Sequence, residues 1–447
     1  AFRWAPVHTD TRPSLSPSEA RSRLDDYLDL HGGHPFVDLE QPALRLLALD
    51  PAGVSGAPWE GELGEGYRHV LVYRFRFHDP ADDAQWVGEV DAHNGGIVSF
   101  WNDTRHDRIH GTVSPITDDG DCANDGCLTA GFPMPFTDYS INGGADLYTG
   151  EFGRYECTTL GDTIETNLDG PYVTIDDQCG PVVASVTCDG ELDLGVSDGI
   201  NCNVAPEQSA GNTDAARSSF YSINRVIQKA QYWMPANNWI RNPVTIRTNV
   251  NSTCNATWSG VLNMYRAGNG CGNTGQISGV VVHEWGHGMD QNDGGGYDSS
   301  SEAYADVVAI FEARESCVGR GFRPGQQCSG YGDTCLDCTG IRDHDYAKRT
   351  RNTPATPTNF TQDCGSGSSP CGKQVHCASY VPADTMFDLA YRDLPAMGLD
   401  ADTSWQLAER LFYESRPGSG GDIFNCSLPS SDSCGTDTWY HQLRLQD

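Results

Sequence analysis

Between Val280 and His287 the chain reads Val-Val-Val-His-Glu-Trp-Gly-His, with His283 and His287 four residues apart and Glu284 directly after the first. On a helix, residues at this spacing share a face, so both imidazoles can address one metal ion. Paired imidazoles suit zinc, and a catalytic zinc needs a third protein ligand and an open position for water. Glu284, one residue round from His283, can reach that water as its general base. The apolar lead-in Ile277–Val282 and the residues after it can form the required helix. Gly286 and Gly288 would each weaken it by about 1 kcal/mol relative to Ala, and would leave room for backbone or substrate to approach.

A second helix is expected from Ser301 to Phe311, with Ala303, Val307 and Ile310 at helical spacing and Ser300 or Ser301 as N-cap. Glu302 begins it and Asp306 lies one turn on, on the same face. Glu302 would complete the metal shell, and Asp306 would accept the free ring N–H of a zinc-bound histidine, fixing its tautomer. Carboxylates are also common at helix N-termini, where they oppose the macrodipole.

This pairing of H-E-x-x-H with E-x-x-x-D resembles the gluzincin metallopeptidases of the thermolysin and fungalysin type. Two further segments match in the family's order. Asn255-Ala256-Thr257-Trp258 resembles its edge strand, which implies that Asn255, Ala256 and Trp258 bind the substrate by strand addition. Gly372-Lys373-Gln374-Val375-His376 resembles the segment whose histidine stabilises the oxyanion, which implies a catalytic His376; an ordinary polar loop histidine is the alternative. An amphipathic helix is expected from Ala383 to Ala390. The chain departs from the pattern in its shorter loop between His287 and Glu302. It also has no tyrosine at the spacing of the family's oxyanion donor, and Tyr297 is a weak substitute. Cys377 beside His376 suggests a disulfide clamping that turn.

The chain of 447 residues carries 61 acidic and 29 basic residues, a net charge of −32. Such a charge argues against nucleic acid or anionic membrane as partner, since both need basic surface. It suits an extracellular protein and can support Ca2+ sites as well as the Zn2+ centre; Asp118–Gly126 is either such a calcium loop or a solvated acidic one. No apolar run is long enough for a membrane span. The sequence starts at Ala1, as expected of a chain whose signal peptide has been removed. Seventeen cysteines point to an oxidising compartment. Spacing suggests bridges Cys122–Cys127, Cys254–Cys271, Cys328–Cys338, Cys364–Cys371 and Cys426–Cys434, with an odd thiol left over. For Cys335-x-x-Cys338, a structural disulfide is favoured over a redox motif or zinc ribbon.

The length suggests two or three domains. Residues 1–110 read as a small α+β unit: a helix from Ser16 to about Leu30, strands at His69–Phe77 and Trp86–Asp91, a tight turn at His93–Gly96, and a returning strand at Ile97–Trp101. The stretch Glu89–Val98 resembles the end of a PepSY-type propeptide, a folding assistant and inhibitor of its own protease. Residues 111–210 read as a β-rich, sandwich-like domain, and residues 211–447 as the catalytic domain, with helices near Ala215–Tyr232 and Thr403–Tyr413. The expected class is α+β. The expected function is a secreted zinc endopeptidase acting on a protein or peptide, with its own N-terminal propeptide domain as a partner that can hold it latent. The alternative is a catalytically silent, disulfide-rich structural or adhesive protein on the same fold. A metal-dependent hydrolase of another bond is a third reading.

Overall fold

The computed structural model describes residues 9–28, 37–38, 41–49, 68–79, 84–102, 108–113, 129–157, 159, 161–188, 191–194, 213–294, 301–356, 359, 362–367, 372–416 and 443. Helices and several sheets share one chain, an α+β fold. It divides into two compact units, residues 1–106 and 107–447.

In the first unit, helix α1 (Pro17–Tyr27) starts on a complete capping box. Ser16 Oγ accepts from the Glu19 amide, and Glu19 accepts from the Ser16 amide at 2.7 Å. Proline at the first helical position needs no donor there. The helix buries Ala20 and Leu24 against Leu71, Tyr73, Phe75, Phe77 and Val90 of an antiparallel sheet. The central strands are Arg68–Asp79 and Ala84–Asp91, joined to Ile97–Asn102 by the expected turn. Ala43–Leu49, unforeseen in the sequence, pairs along Arg68–Arg74.

In the second unit, the strands Val173–Asp177, Val244–Val250 and Leu262–Tyr265 run parallel, and Ala256–Trp258 forms an antiparallel edge. The expected 111–210 stretch therefore shares a sheet, and one hydrophobic core, with the residues that follow. Helix α2 (Asp214–Trp233) crosses that core. Its N-cap Thr213 accepts from the Ala216 amide and donates to Asp177 at 2.6 Å, pinning the helix start to the end of a strand.

Helices α3 (Ser278–Asn292) and α4 (Ser301–Ala313) pack behind the edge strand. The apolar lead-in is itself helical, and Val280, Val281 and Val282 are buried. Gly286 sets how closely the two helices approach: a Cβ there would lie 2.7 Å from Ala305 Cα. Helix α5 (Tyr380–Asp388) continues into one π-turn, Leu389–Asp393, and helix α6 (Ala401–Ser415) is capped by Asp400.

The disulfide Cys254–Cys271 forms as expected. Two expected pairings are corrected. Cys328 bonds Cys335, while Cys338 bonds Cys317. Cys364 bonds Cys377, not Cys371, so a disulfide does clamp the turn that carries His376. Cys157–Cys188 was not foreseen. Cys122, Cys127, Cys426, Cys434, Tyr297 and the Asp118–Gly126 loop lie outside the described residues.

Gly286→Ala is expected to destabilise the second unit by about 1–3 kcal/mol through overpacking against Ala305. Thermal melting of the variant beside the wild type checks it. An unchanged melting temperature would contradict the close α3–α4 contact.

Candidate metal centre

His283 and His287 lie on one face of α3, their ring centroids 4.8 Å apart, and α4 brings Glu302 beneath them. Glu302 lies 3.4 Å from His283 Nε2 and 3.7 Å from His287 Nε2. Ligand atoms about 2.0–2.1 Å from a tetrahedral zinc stand roughly 3.3–3.5 Å from one another, so both contacts sit near the edge of such a tetrahedron. One donor atom from each of the three residues lies within 4.8 Å of the others. The donor set and its spacing fit zinc. Cys328, Cys335 and Cys338 also group as potential donors among the described residues, but all three are held in disulfides.

Asp306, fully buried, lies 3.0 Å from His283 Nδ1, which leaves Nε2 of that ring for a metal. Burial alone would raise the carboxyl of Asp306. Arg342 overrides it with two 2.7 Å hydrogen bonds, and His283 and His344 add to the effect, so the group is held well below the usual carboxylate range. His344 in turn lies between Asp306 at 3.2 Å and Asp384 at 3.1 Å, and Asp384 accepts from Arg349. Arg342 also reaches Glu302 at 3.3 Å.

The same field separates the neighbouring groups. Burial opposes a charge on His283, but Asp306 and Glu302 outweigh it and raise the ring to about 10. Burial, together with the nearby His283 charge, pushes His287 down to about 4. Glu302 is penalised by burial yet lowered to about 2 by His283 and Arg342. Glu284, with no direct cation partner among the described residues, is raised to about 7 by burial, an effect that His283 offsets in part. Before metal enters, the site is therefore a closed ion-pair network with a proton on His283. A metal would have to displace that proton.

A cleft of about 550 Å³ opens over this centre. Asn255, with Ala256 and Trp258 of the edge strand, lines it together with His283, Glu284, His287, Glu302 and His376. The Trp258 indole donates to Gln291 at 2.9 Å. His376 rides on the single turn Val375–Ala378, its Nε2 3.2 Å from Glu302. The Gln374 amide lies 2.6 Å from His376 Nδ1 and, by donating to it, leaves the proton on Nε2, facing the cleft. Burial lowers the pKa of this ring, so it is neutral at pH 7.

Every site residue expected from the sequence thus meets in or directly behind one cleft. Sequence reasoning missed Arg342, His344 and Tyr331. All three sit in the cysteine-pinned stretch 317–345, where no periodicity separates a cleft residue from a solvated loop residue.

No family model and no curated protein matches the sequence. Among solved structures, the precursor of protealysin, a metalloproteinase from Serratia proteamaculans, is similar with a TM-score of 0.39 and 13% identity, over 66% of this chain and 86% of that one.

Proposed function

We propose that the chain is a secreted zinc endopeptidase of the gluzincin type, with a PepSY-like propeptide over residues 1–110, a β-rich region over 111–210 and a catalytic region over 211–447. The observation that carries this reading is the spacing of three donors from His283, His287 and Glu302, with the buried carboxyl of Glu284 beside them. His283, His287 and Glu302 would hold the zinc. When bound, zinc would polarise the scissile carbonyl and acidify a water.

The rest of the work falls to the chain's own groups. Glu284 takes the proton of the attacking water and delivers it to the leaving amine. Neutral His376 donates from Nε2 to the carbonyl oxygen as negative charge grows there. Asp306 keeps His283 oriented. Among the described residues Ala256–Trp258 is a sheet edge, and its unpaired side offers backbone groups to an extended substrate, with Asn255 at its start. A peptide is the substrate this edge suits, because strand addition pairs backbone with backbone. The N-terminal unit is then a natural inhibitor of its own cleft, which makes the chain a latent form.

Glu284→Gln keeps the shape of the side chain and removes its basicity. The variant is expected to bind metal as the wild type does and to lose peptide cleavage by at least roughly 10²-fold. Elemental analysis and a casein or fluorogenic-peptide assay, with the N-terminal segment removed, check both halves. Unaffected turnover would overturn the assignment.

The general base works only as the carboxylate. With Glu284 at about 7 in the metal-free site, and a bound dication favouring its ionised form, the acid limb of kcat/KM should lie below pH 7. Activity should rise with pH through that limb and vanish at lower pH as the carboxylate takes up a proton. A pH profile that stays flat down to pH 4 would contradict the role.

A further inference from the structure

Helix α3 ends on charges that its own dipole opposes. Asp290 stands one turn after His287, and Asp293 is the C-cap. A helix C-terminus carries partial negative charge, so carboxylates are unfavourable there. Both are also buried, at 7% and 5% exposure, and two such groups need a cation.

Arg416 supplies it from another helix. It caps the C-terminus of α6 and is fully buried. Its Nη2 donates to Asp290 Oδ1 at 2.9 Å and its Nε to Asp293 Oδ2 at 2.7 Å. The guanidinium also lies over the Tyr304 ring, 4.8 Å from its centroid. Phe412, one turn earlier on α6, packs on the same ring at 4.8 Å. Tyr304 belongs to α4, midway between Glu302 and Asp306.

One side chain therefore touches both helices that carry the metal donors. The contact of Gly286 with Ala305 ties α3 to α4 before His287, and Arg416 ties them beyond it. The segment that joins the two helices, 295–300, lies outside the described residues. A buried ion triad is a poor source of net stability, because well-packed apolar side chains of similar volume often serve as well or better. What a guanidinium adds is direction: its planar fork can fix two carboxylates at once while it stacks on a ring. The metal centre needs such direction. His287 Nε2 stands 3.7 Å from Glu302, and donors of a site must be held within about 0.5 Å of their working geometry.

We propose that Arg416 is a positioning residue of the metal centre. By clamping the end of α3 to Tyr304 of α4, it sets the approach of His287 to Glu302. The proposal rests on the zinc site of the reading above and on no step of its catalysis.

Arg416→Lys keeps the charge and loses the fork, since an ammonium is a point charge. Zinc affinity of the full chain, measured by competition with a chelating dye well below the melting range, is expected to fall roughly 10- to 100-fold. An arginine that only stabilises the fold would lower the melting temperature and leave zinc affinity as in the wild type. If Arg416→Lys does not fold, Asp293→Asn decides. It keeps the side-chain volume and the Asp290 ion pair, removes one arm of the clamp, and should weaken zinc binding roughly 10-fold. Wild-type zinc affinity in the folded variant overturns the proposal. A wild type that binds zinc and cleaves no peptide overturns the peptidase reading and leaves this one standing. A wild type that binds no zinc overturns both.

Discussion

Two carboxylates one turn apart on α4, Glu302 and Asp306, are buried where water cannot stabilise them. Unpaired, such charges would be prohibitively costly to bury. The fold meets that cost by converging cations on them. His283 comes from α3, Arg342 and His344 from the cysteine-pinned stretch, and a divalent ion suits the face that remains. Much of the second unit can be understood as the scaffolding of this convergence. Gly286 lets α3 and α4 close to contact distance, and the Cys317–Cys338 disulfide holds the strand pair that ends in Arg342.

The same arrangement gives neighbouring groups opposite character. Glu302 and Asp306 face cations and stay ionised; Glu284, one position round α3, faces none directly and is raised by burial. A ligand and a base of the same chemical type are thus differentiated by their surroundings alone. Gln374 fixes the tautomer of His376, so that a neutral N–H faces the cleft. The sheet contributes direction: three parallel strands end in one antiparallel edge, whose residues line the cleft.

The parts of the site encoded by local spacing were legible in the sequence. His283, Glu284, His287, Glu302 and Asp306 follow from the helical period, and the segments around Asn255 and His376 follow from family resemblance. What escaped was set by the chain's return to itself. The disulfides of Cys328, Cys338 and Cys364 went to partners other than those expected, because bonding depends on which Cα atoms the fold brings within about 5.2–5.7 Å. Arg342 sits on a two-residue strand and Tyr331 on a single turn, both too short for the sequence to show a period, and cross-links and ion pairs set their positions. The strand Ala43–Leu49 was missed because its leucine-rich run is mostly exposed and lacks the alternation that marks a strand.

The central claim is that His283, His287 and Glu302 form one zinc site. Zinc K-edge X-ray absorption on the purified chain tests it most directly. The expected result is one zinc per chain, coordinated by two imidazole nitrogens and carboxylate or water oxygen at about 2.0–2.2 Å, with the signal lost in His287→Ala. A spectrum dominated by sulfur near about 2.3 Å would place the ion among the cysteines instead, and that, or a chain that takes up no zinc, would contradict the account.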